Sequence, residues 1–460
     1  MHYGSLLAKA REAHVRIAII GLGDYGRSLA FQARRAPGLE VVAVCDRDPQ
    51  RARAALIAAG LPADRAAICD GLPAATAALQ RGDVVVTDDG DLVARLPLDV
   101  VVEATGHPEA AARHADLALR EGRHVVMVSK EADSVVGPLF AARARAAGLV
   151  YTPVDGDQPS LLIQLALWAR TCGLTILSAA KSSEYDFVFD PATDIVTCLN
   201  RSAPAPGFGA LWAFGDRDPA GVVAARAKAL QALPQRTVAD LTEMGIVANA
   251  LGLGVDRADF HAPIARTGEI PDLLVPGGLL SAPGSVDVVN LLRRPDEFSL
   301  AGGVFVTVAC EDRHTWEVLR EKGHLVSRDG TAATIVNPVH LLGVQSATTI
   351  LLAALERRTS GTDTTAPLVD LVARARVPLK AGTLLEAQGH HHEIPGTDGE
   401  LRPARAVTGS APVPFYMLSG HRLRADVSAG DLVTLDKVEA PAESMLWRLR
   451  AEMDASLPAR

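Results

Sequence analysis

The stretch VRIAIIGLGDYGRSLAFQARR, residues 15–35, decides the fold of the first part of this chain. Its apolar start, residues 15–20, predicts a short buried strand, and a helix is expected to begin at about Asp24. Between the two lie three glycines in the pattern GxGxxG: Gly21, Gly23 and Gly26. Glycine at these places permits a tight turn and lets a pyrophosphate approach the backbone at the helix N-terminus.

The next predicted strand, LEVVAVCD, supports the same interpretation. It ends at Asp46, 20 residues after Gly26, where an acidic side chain can bind the ribose hydroxyls of NAD. Arg47 follows directly and could meet the 2′-phosphate of NADP, or be a solvated loop charge, so both cofactors stay open. GxGxxG alone is a weak signal, but strand, helix, strand and terminal aspartate in this order predict a dinucleotide-binding domain over residues 1–152.

Strands and helices continue to alternate beyond this unit. Strands predicted at 99–103 and 123–128 enclose a helix at 108–121, a pattern typical of a parallel, right-handed, doubly wound sheet. Ligands of such sheets bind at the carboxyl ends of the strands, where Lys130 and Glu131 also fall. Both are candidate catalytic residues, although Lys130 could instead be a surface lysine at a helix start. Further cofactor contacts are expected from Leu22, Asp24, Tyr25, Ala104, Thr105 and Gly106.

A strand at 149–154 leads to Asp155-Gly156-Asp157 at the same edge. Alternate residues of an extended chain project to one side, so the two carboxylates should lie together. Asp157 is also a sound helix N-cap, but capping needs only one aspartate. Two close carboxylates repel unless a cation neutralises them, and oxygen ligands suit Mg²⁺ or Mn²⁺. The motif is therefore either a cap or a metal site.

The central residues 153–330 predict an α+β catalytic domain. After a helix at 160–171, a strand ends in polar residues that suit an anionic or polyol substrate, beginning with Lys181. Residues 200–222, rich in Gly, Pro, Ala and Trp, are predicted to be irregular and could form a lid. An apolar helix that ends near Gly252 is predicted to be buried. It carries Glu243, whose carboxylate would need a charged or hydrogen-bonding partner. Candidate substrate contacts are Gln158, Ser182, Ser183, Asn249 and His340.

The last part of the chain has a different pattern of predicted secondary structure. Residues 331–360 predict a turn at Asn337-Pro338 and then a long apolar helix that returns to the first domain. After a linker at 360–365, residues 366–460 read as short β-rich pieces. VARARVPLKAGTLLEAQG and GHRLRADVSAGDLVTLDKV resemble each other and the turn pattern of the SAF domain, a small β-clip module. The run His390-His391-His392 is expected to be a solvated loop.

Composition excludes several classes of function. The formal net charge of −8 offers no general basic field for nucleic acid. Five scattered cysteines without CxxC spacing favour a reduced, cytoplasmic protein. No signal peptide and no membrane span are expected, because no uninterrupted apolar segment of about 18 residues occurs. The apolar middle region suggests a homodimer or a higher homo-oligomer.

Several motifs in one order resemble a known group of enzymes. GLGDYG, EATGHPE, VVMVSKEAD, VDGDQP, GIVANALGL and NPVHLLG, followed by the SAF-like tail, resemble homoserine-dehydrogenase-like oxidoreductases with a C-terminal SAF domain. That group includes the DXR-like enzymes (DRL), which convert 1-deoxy-D-xylulose 5-phosphate to methylerythritol phosphate, and is similar to D-apionate oxidoisomerases. VDGDQP and the VANA piece are fairly specific to the group, whereas GxGxxG is not.

The resemblance implies roles for particular residues. Asp155 and Asp157 would bind a divalent metal, with Glu243 as the third ligand. Lys130 and Glu131 match a Lys-Glu pair of the reductoisomerases, and Lys181 would hold the substrate's charged end or serve as an acid. Gln345 stands where relatives more often carry an acid, and KSSEYD lacks the glycine-rich form of the DRL type. These departures leave the substrate and the isomerase step open.

Three hypotheses follow. The first is a metal-assisted NAD(P)-dependent oxidoreductase of the reductoisomerase or oxidoisomerase type, acting on a small polyol, sugar acid or sugar phosphate. The second is a metal-free dehydrogenase of the homoserine type with Lys130 and Lys181 as acid–base groups. The third is a cofactor-sensing binding or assembly protein that uses the SAF-like tail as its interaction module.

Overall fold

A computed structural model describes residues 3–362, 364–389 and 392–456, and the strands between residues 15 and 153 form a seven-stranded sheet. The strands are Val15–Ile20 (β1), Leu39–Cys45 (β2), Ala66–Ile68 (β3), Val84–Thr87 (β4), Val100–Glu103 (β5), His124–Met127 (β6) and Tyr151–Pro153 (β7). All neighbours are parallel, in the order β3-β4-β2-β1-β5-β6-β7. The predicted Rossmann-like sheet is confirmed.

Helices cover both faces of this sheet, which explains why its strands are almost continuously apolar. They are Tyr3–Glu12 (α1), Asp24–Ala33 (α2), Pro49–Ala58 (α3), Leu72–Gln80 (α4), Gly90–Arg95 (α5), Pro108–Arg120 (α6) and Lys130–Ala146 (α7). The next helix, Gln158–Thr171 (α8), packs instead against the second sheet described below. β1 has β2 on one side and β5 on the other, so the winding direction reverses there. A crevice is therefore expected at the carboxyl ends of β1, β2 and β5, where ligands of such sheets bind.

A second, mixed sheet forms the central part of the molecule. Its strands are Ile176–Ser182 (β8), Phe187–Asp190 (β9), Ile195–Cys198 (β10), Arg201–Pro204 (β11), Gly254–Val255 (β12), Ile264–Ala265 (β13), Ser285–Arg293 (β14), Val304–Ala309 (β15), Leu325–Val326 (β16) and Ala332–Asn337 (β17). The main order is β11-β10-β9-β14-β8-β15-β17-β16, with β12 and β13 beside β14. Its helices are Pro219–Ala229 (α9), Val238–Leu251 (α10), Ile270–Leu273 (α11) and Arg313–Glu321 (α12).

Two predictions about this region need correction. Residues 200–222 are not wholly irregular, because β11 pairs with β10 and the side chains of Phe208, Phe214 and Val222 are buried in apolar clusters. Residues 332–337 are a strand rather than part of a helix. Their β-branched residues pair antiparallel with β15, so the helix after Asn337-Pro338 begins only at Ser346.

That helix lies against the first domain. Residues Ser346–Leu351 (α13) continue into a π-helical turn at Leu352–Glu356, and Ile350, Leu351 and Leu352 are buried in one apolar cluster with β1 and α2. The chain thus passes from the second sheet back to the first before the C-terminal part begins.

Small antiparallel sheets make up the C-terminal part, as the fold class predicts. Val369–Ala375 (β18) pairs with Thr397–Pro403 (β20), and Leu384–Leu385 (β19) with His421–Arg422 (β21), before a helix at Met445–Ala455 (α14). The two similar segments meet at equivalent positions, since the backbones of Leu379 and Val427 exchange two hydrogen bonds of 2.9 Å. The SAF assignment itself stays a prediction. Among the described residues, no helix is long and apolar enough to cross a membrane.

Candidate active site

The glycine turn after β1 is shaped by close backbone contacts. Gly21 has φ +95°, and a Cβ there would lie 2.4 Å from the carbonyl oxygen of Ala104. A Cβ on Gly26 would lie 2.0 Å from the carbonyl oxygen of Gly21, so neither position tolerates a side chain. Nothing lies within 4 Å of the equivalent point on Gly23, the residue before α2. The helix N-terminus is therefore open to an anionic group.

Asp46 lies beside this turn. Its carboxylate accepts hydrogen bonds from the backbone N–H groups of Leu22 (2.8 Å) and Asp48 (3.2 Å), which holds it at the end of β2. Arg47 is exposed next to it. The open helix N-terminus and the anchored carboxylate fit the pyrophosphate and ribose of a dinucleotide.

The loop after β5 lies next to the start of α7. The Thr105 hydroxyl donates to the carboxylate of Glu103 (2.6 Å), and the Gly106 N–H donates to the hydroxyl of Ser129 (2.8 Å). Gly106 has φ +66°, a conformation that favours glycine. These bonds hold the loop at the carboxyl edge, where the sequence predicts the nicotinamide end of the cofactor.

A cavity of about 290 Å³ opens at this edge. It brings together seven residues that the sequence predicts for the site: Lys130, Glu131, Asp157, Gln158, Lys181, Glu243 and His340. Tyr25, predicted as a cofactor contact, lies in its wall, and its hydroxyl is 2.7 Å from the hydroxyl of Ser346. Four elements converge on the cavity. They are the start of α7 (residues 130–131), the start of α8 (157–158), the end of β8 (181) and the first half of α10 (240–243).

Two lysines share the carboxylate of Glu243. Lys130 Nζ donates to Glu243 Oε1 (2.5 Å) and to Asp157 Oδ1 (3.3 Å). Lys181 Nζ donates to Glu243 Oε2, to Asp240 Oδ1 (2.6 Å) and to Gln158 Oε1 (3.1 Å). With three acceptors, the ammonium of Lys181 is saturated, whereas Lys130 keeps one N–H for a ligand.

Electrostatics keep both lysines protonated. Burial opposes the charge on Lys130, but the carboxylates of Asp157 and Glu243 outweigh it and raise the pKa of Lys130 well above its ordinary value. The carboxylates of Asp240 and Glu243 raise the pKa of Lys181 against the same effect of burial. Conversely, the two ammonium groups lower the pKa of Glu243 despite its burial. Neither lysine is therefore suited to act as a base near neutral pH.

Asp155 has structural partners that the sequence did not predict. Its Oδ1 accepts from the hydroxyl of Ser160 (2.7 Å) and the amide of Gln164 (2.5 Å), and its Oδ2 accepts from the hydroxyl of Thr348 (2.7 Å). Burial raises the pKa of Asp155, although these hydrogen bonds oppose it. The carboxylate thereby ties the start of α8 to the helix that returns from the second sheet.

Of the two roles predicted for Asp157, helix cap and metal ligand, the cap is present. Its Oδ1 accepts from the backbone N–H of Gln158 (2.9 Å) at the N-terminus of α8, with Pro159 in the first turn. The predicted cap is thus present. The same oxygen contacts Lys130, so an ammonium group stands where the sequence predicts a metal ion.

Sequence profiles of two protein families match the chain. The "Homoserine dehydrogenase, NAD binding domain" profile matches residues 21–153, and the "Oxidoreductase DRL, catalytic domain" profile matches residues 156–346. The chain thus contains one region similar to the NAD-binding domain of homoserine dehydrogenases and a second region similar to the catalytic domain of DRL oxidoreductases. Among curated proteins, no sequence matches it significantly. The DRL profile covers Asp157, Lys181, Glu243 and His340, and the boundary between the two profiles falls between β7 and α8.

Solved structures resemble this chain only distantly. A DOX-P reductoisomerase in complex with magnesium is 16% identical over 37% of this chain and 46% of its own, with a TM-score of 0.28. The 1-deoxy-D-xylulose 5-phosphate reductoisomerase of Zymomonas mobilis in complex with NADPH is 17% identical over 37% of this chain and 46% of its own, with a TM-score of 0.27. A probable oxidoreductase, yhhX, is 14% identical over 75% of this chain and 90% of its own, with a TM-score of 0.34. The chain spans about half the length of the two reductoisomerases.

The predicted metal ligands of this protein do not fit a divalent cation as they are arranged. Both oxygens of Asp155 accept hydrogen bonds from neutral side chains, and Lys130 bridges Asp157 and Glu243. Within the part of the chain that the structure describes, no three His, Cys, Asp or Glu side chains form a group that could hold a metal ion. A cation between Asp157 and Glu243 would have to displace an ammonium group that already neutralises them.

Three predicted substrate residues have other partners. The amide oxygen of Asn249 accepts from the N–H groups of Leu368 (2.8 Å) and Val369 (2.9 Å), so this side chain anchors the start of β18. Ser182 donates to the carbonyl oxygen of Leu300 (2.5 Å) and Ser183 to that of Tyr185 (3.1 Å). None of the three lines the cavity around Lys130, and each makes a structural contact elsewhere; their assignment as substrate contacts stays a prediction.

Asp240, His392 and Tyr416 are among the residues of the cavity wall that sequence reasoning missed. Asp240 precedes Glu243 by three residues, a spacing that places both on one face of α10, so helical periodicity could have found it. The other two belong to the C-terminal part, and no local pattern connects them with the site. The expectation of a solvated loop is wrong for His392, and His390 and His391 lie outside the described residues.

Proposed function

We propose that this protein transfers a hydride between a nicotinamide and a hydroxyl-bearing carbon of a small uncharged polyol, without a resident metal ion. The observation that carries the proposal is the position of Lys130. Its ammonium group, fixed by Asp157 and Glu243, lies in a cavity at the carboxyl edge of the dinucleotide-binding sheet. A fixed cation at this place can stabilise the oxygen on which negative charge develops during hydride transfer.

The charge of the cavity supports an uncharged substrate. Among the described residues, two lysines and five carboxylates line it and no arginine does: Lys130, Lys181, Glu131, Asp157, Glu184, Asp240 and Glu243. A phosphate or a sugar acid would lie in a field of its own sign, and the guanidinium groups that bind phosphate in pairs are absent from this wall. Carboxylates accept hydrogen bonds from hydroxyl groups, so a polyol matches the wall in both charge and bonding.

Each residue of the network has a separate role in this proposal. Glu243 and Asp157 hold the ammonium of Lys130 at one place, and its remaining N–H binds the substrate oxygen. Lys181, saturated by its three acceptors, offsets the charge of Asp240 and Glu243 and keeps α10 against β8. Bound cofactor supplies or accepts the hydride, and a proton moves to or from the same substrate oxygen.

A substrate screen tests the proposal. Wild-type protein is mixed with NAD⁺ or NADP⁺ and with matched sets of polyols, sugar acids and sugar phosphates, and the absorbance of the reduced nicotinamide is followed. We expect turnover with members of the polyol set and little with their phosphates. Turnover restricted to phosphates would overturn the uncharged substrate. Cofactor binding without turnover of any compound would support a cofactor-sensing protein instead.

Lys130→Met tests the residue that carries the proposal. We expect kcat/KM to fall by about 10²–10³-fold, because an electrostatic donor to the developing charge is lost, while the affinity for the cofactor changes little. Lys322→Met, at an exposed end of α12, is the matched control and should leave both quantities unchanged. Full activity of Lys130→Met would contradict the assigned role.

Chelation tests the metal-free mechanism, and product analysis tests isomerisation. We expect the rate to stay unchanged after dialysis against EDTA. A loss that Mg²⁺ or Mn²⁺ restores would return the site to the metal-assisted mechanism. Proton NMR of the product distinguishes a simple ketone from a rearranged carbon skeleton, which the resemblance to reductoisomerases implies.

A further inference from the structure

His392 reaches the cavity from the C-terminal part of the chain. Its Nδ1 lies 2.6 Å from Glu131 Oε1, next to Lys130 at the start of α7. A Cβ built on Gly106 would lie 3.2 Å from His392 Cε1 and 3.8 Å from Nε2. The Nε2 edge of the ring therefore lies against the loop after β5, on the side where the nicotinamide is expected.

The ring is held but not closed off. Glu131 is nearly buried, with 11% of its side chain exposed, whereas 34% of the His392 side chain is exposed. A carboxylate that fixes Nδ1 leaves Nε2 to exchange a proton with a ligand, and the exposed part of the ring gives that proton a way to solvent.

The proposed reaction needs such a group. Oxidation of a hydroxyl-bearing carbon sends the hydride to the cofactor and requires a base for the hydroxyl proton. Lys130 and Lys181 remain ammonium groups, so they cannot accept it. We propose that His392, oriented by Glu131, is the catalytic residue that takes the hydroxyl proton during oxidation and returns it during reduction. This inference rests on the proposed function.

The step balances. The C–H bond breaks with its electron pair, which leaves as hydride to the nicotinamide. The O–H bond breaks with its proton, which binds to Nε2 of the neutral imidazole, and a carbonyl group remains. Loss of the proton to solvent restores the neutral ring. The positive charge on the ring is stabilised by Glu131 at Nδ1, and Lys130 polarises the same substrate oxygen from another side.

The charged neighbours of His392 set the pH range. The hydrogen bond to Glu131 raises the pKa of His392 more than burial and the charge of Lys130 lower it. Oxidation requires the neutral ring, so its rate should rise with pH through this raised pKa. Reduction requires the protonated ring, so its rate should fall over the same range.

His340 is the competing histidine in the cavity wall. Burial is the main cause that lowers its pKa, and Lys130 and Lys181 act in the same direction against Asp157 and Glu243. Among the described residues, no carboxylate forms a hydrogen bond with the ring of His340, whereas Glu131 does so with the ring of His392. The geometry therefore favours His392, and the experiment compares both.

The test measures kcat/KM for the wild-type protein from pH 5 to 9 in both directions. We expect His392→Gln to lower it by about 10²-fold or more and to remove the inflection that the wild type shows. Glu131→Gln should keep the inflection but move it to lower pH, since the partner that raises the pKa is weakened. Added imidazole should partly restore His392→Ala, which a purely structural residue would not allow.

Controls separate the possible outcomes. His324→Gln, at an exposed position outside the cavity, should match the wild type, and cofactor affinity should be unchanged in all variants. An unchanged pH profile in His392→Gln, or loss of the inflection in His340→Gln instead, overturns the inference. Wild-type protein that turns over no compound overturns the proposed function and this inference together, whereas an active wild type with an equally active His392→Gln overturns this inference alone.

Discussion

At the scale of single residues, opposite charges determine the character of the site. Glu243 is buried with 3% of its surface exposed, yet it stays ionised because two ammonium groups contact it. The same ammonium groups stay charged because three carboxylates surround them. Removing one member would leave a buried charge without a partner, which costs several kcal/mol. The network is therefore expected to respond as a unit to mutation.

Asp133 is another buried carboxyl group near this network, and burial dominates its pKa because no ammonium group contacts it among the described residues. It is 7% exposed, and its Oδ1 accepts a hydrogen bond from the hydroxyl of Tyr151 (2.7 Å). Burial raises the pKa of Asp133 to about 6, while the hydrogen bond from Tyr151 opposes the shift. A raised pKa means that the folded state binds the proton more tightly than the unfolded state. Its contribution to stability is thus complete below pH 4 and lost as the pH rises to about 6.

We expect Asp133→Asn to be more stable than the wild type above pH 6, by up to about 3 kcal/mol. The amide carries no charge at any pH, and its oxygen can still accept from Tyr151. Urea unfolding at pH 4, 5, 6 and 7.5 should give a difference that grows with pH. Asp116→Asn is the matched buried control and should destabilise, because Asp116 is paired with Arg143 and Arg120. A difference that does not change with pH would contradict the assignment.

At the scale of elements, the turn between β7 and α8 positions Asp155 and Asp157 for their separate roles. Gly156 has φ +95°, and a Cβ there would lie 1.9 Å from the carbonyl oxygen of Leu342. The turn thus fits directly against the loop that carries His340. Asp155 faces α13 and Asp157 faces the cavity because this glycine lets the chain turn between them.

Gly156→Ala should therefore destabilise the protein by about 3 kcal/mol, because both the backbone conformation and the close contact oppose a side chain. Gly268→Ala is the control, since nothing lies within 4 Å of its Cβ position and its φ is not positive, and it should change stability by no more than about 0.5 kcal/mol. Thermal or urea unfolding measures both. Equal stability of the two variants would show that the turn can rearrange.

At the scale of the whole molecule, the C-terminal part is joined to the dinucleotide-binding domain. Glu109 at the start of α6 accepts hydrogen bonds from the Ser444 hydroxyl (2.6 Å) and from the N–H groups of Met445 (2.6 Å) and Leu446 (3.1 Å). It therefore satisfies the first N–H groups of α14 across the two parts of the chain. Trp447 of the same helix donates from its indole N–H to the carbonyl oxygen of Met417 (3.2 Å), so the connection extends to the segment that carries Tyr416.

Glu109→Ala should loosen α14. We expect faster hydrogen exchange of the amides in residues 445–455 and a loss of stability of about 1–2 kcal/mol, comparable with the loss of a helix cap. Glu452→Ala is the control. Glu452 also lies on α14, but its half-exposed carboxylate forms only a surface ion pair with Arg143 of α7. Unchanged exchange in Glu109→Ala would mean that apolar contacts alone hold the helix.

The dinucleotide-binding sheet could be predicted from the sequence alone, because its strands, its glycine turn and Asp46 follow local rules of periodicity and backbone geometry. The sequence also placed Lys130 and Asp157 at one edge, since the carboxyl ends of parallel strands converge. Lys181 was a candidate because of the polar end of its own strand, and Glu243 joined the site only through the resemblance to the reductoisomerases. The sequence could not predict which charges pair. That outcome depends on distances between α7, α8, β8 and α10, which no local pattern encodes.

The contacts of Asp155, Asn249, His392 and Tyr416 became apparent only in the folded chain. Asp155 and Asn249 look functional in sequence because they are polar in apolar surroundings, but partners on distant segments satisfy them. His392 looks solvated because its neighbours in sequence are polar, yet the fold brings it to Glu131, 261 residues away along the chain. Burial and pairing are properties of the folded chain, so long-range contacts decide them.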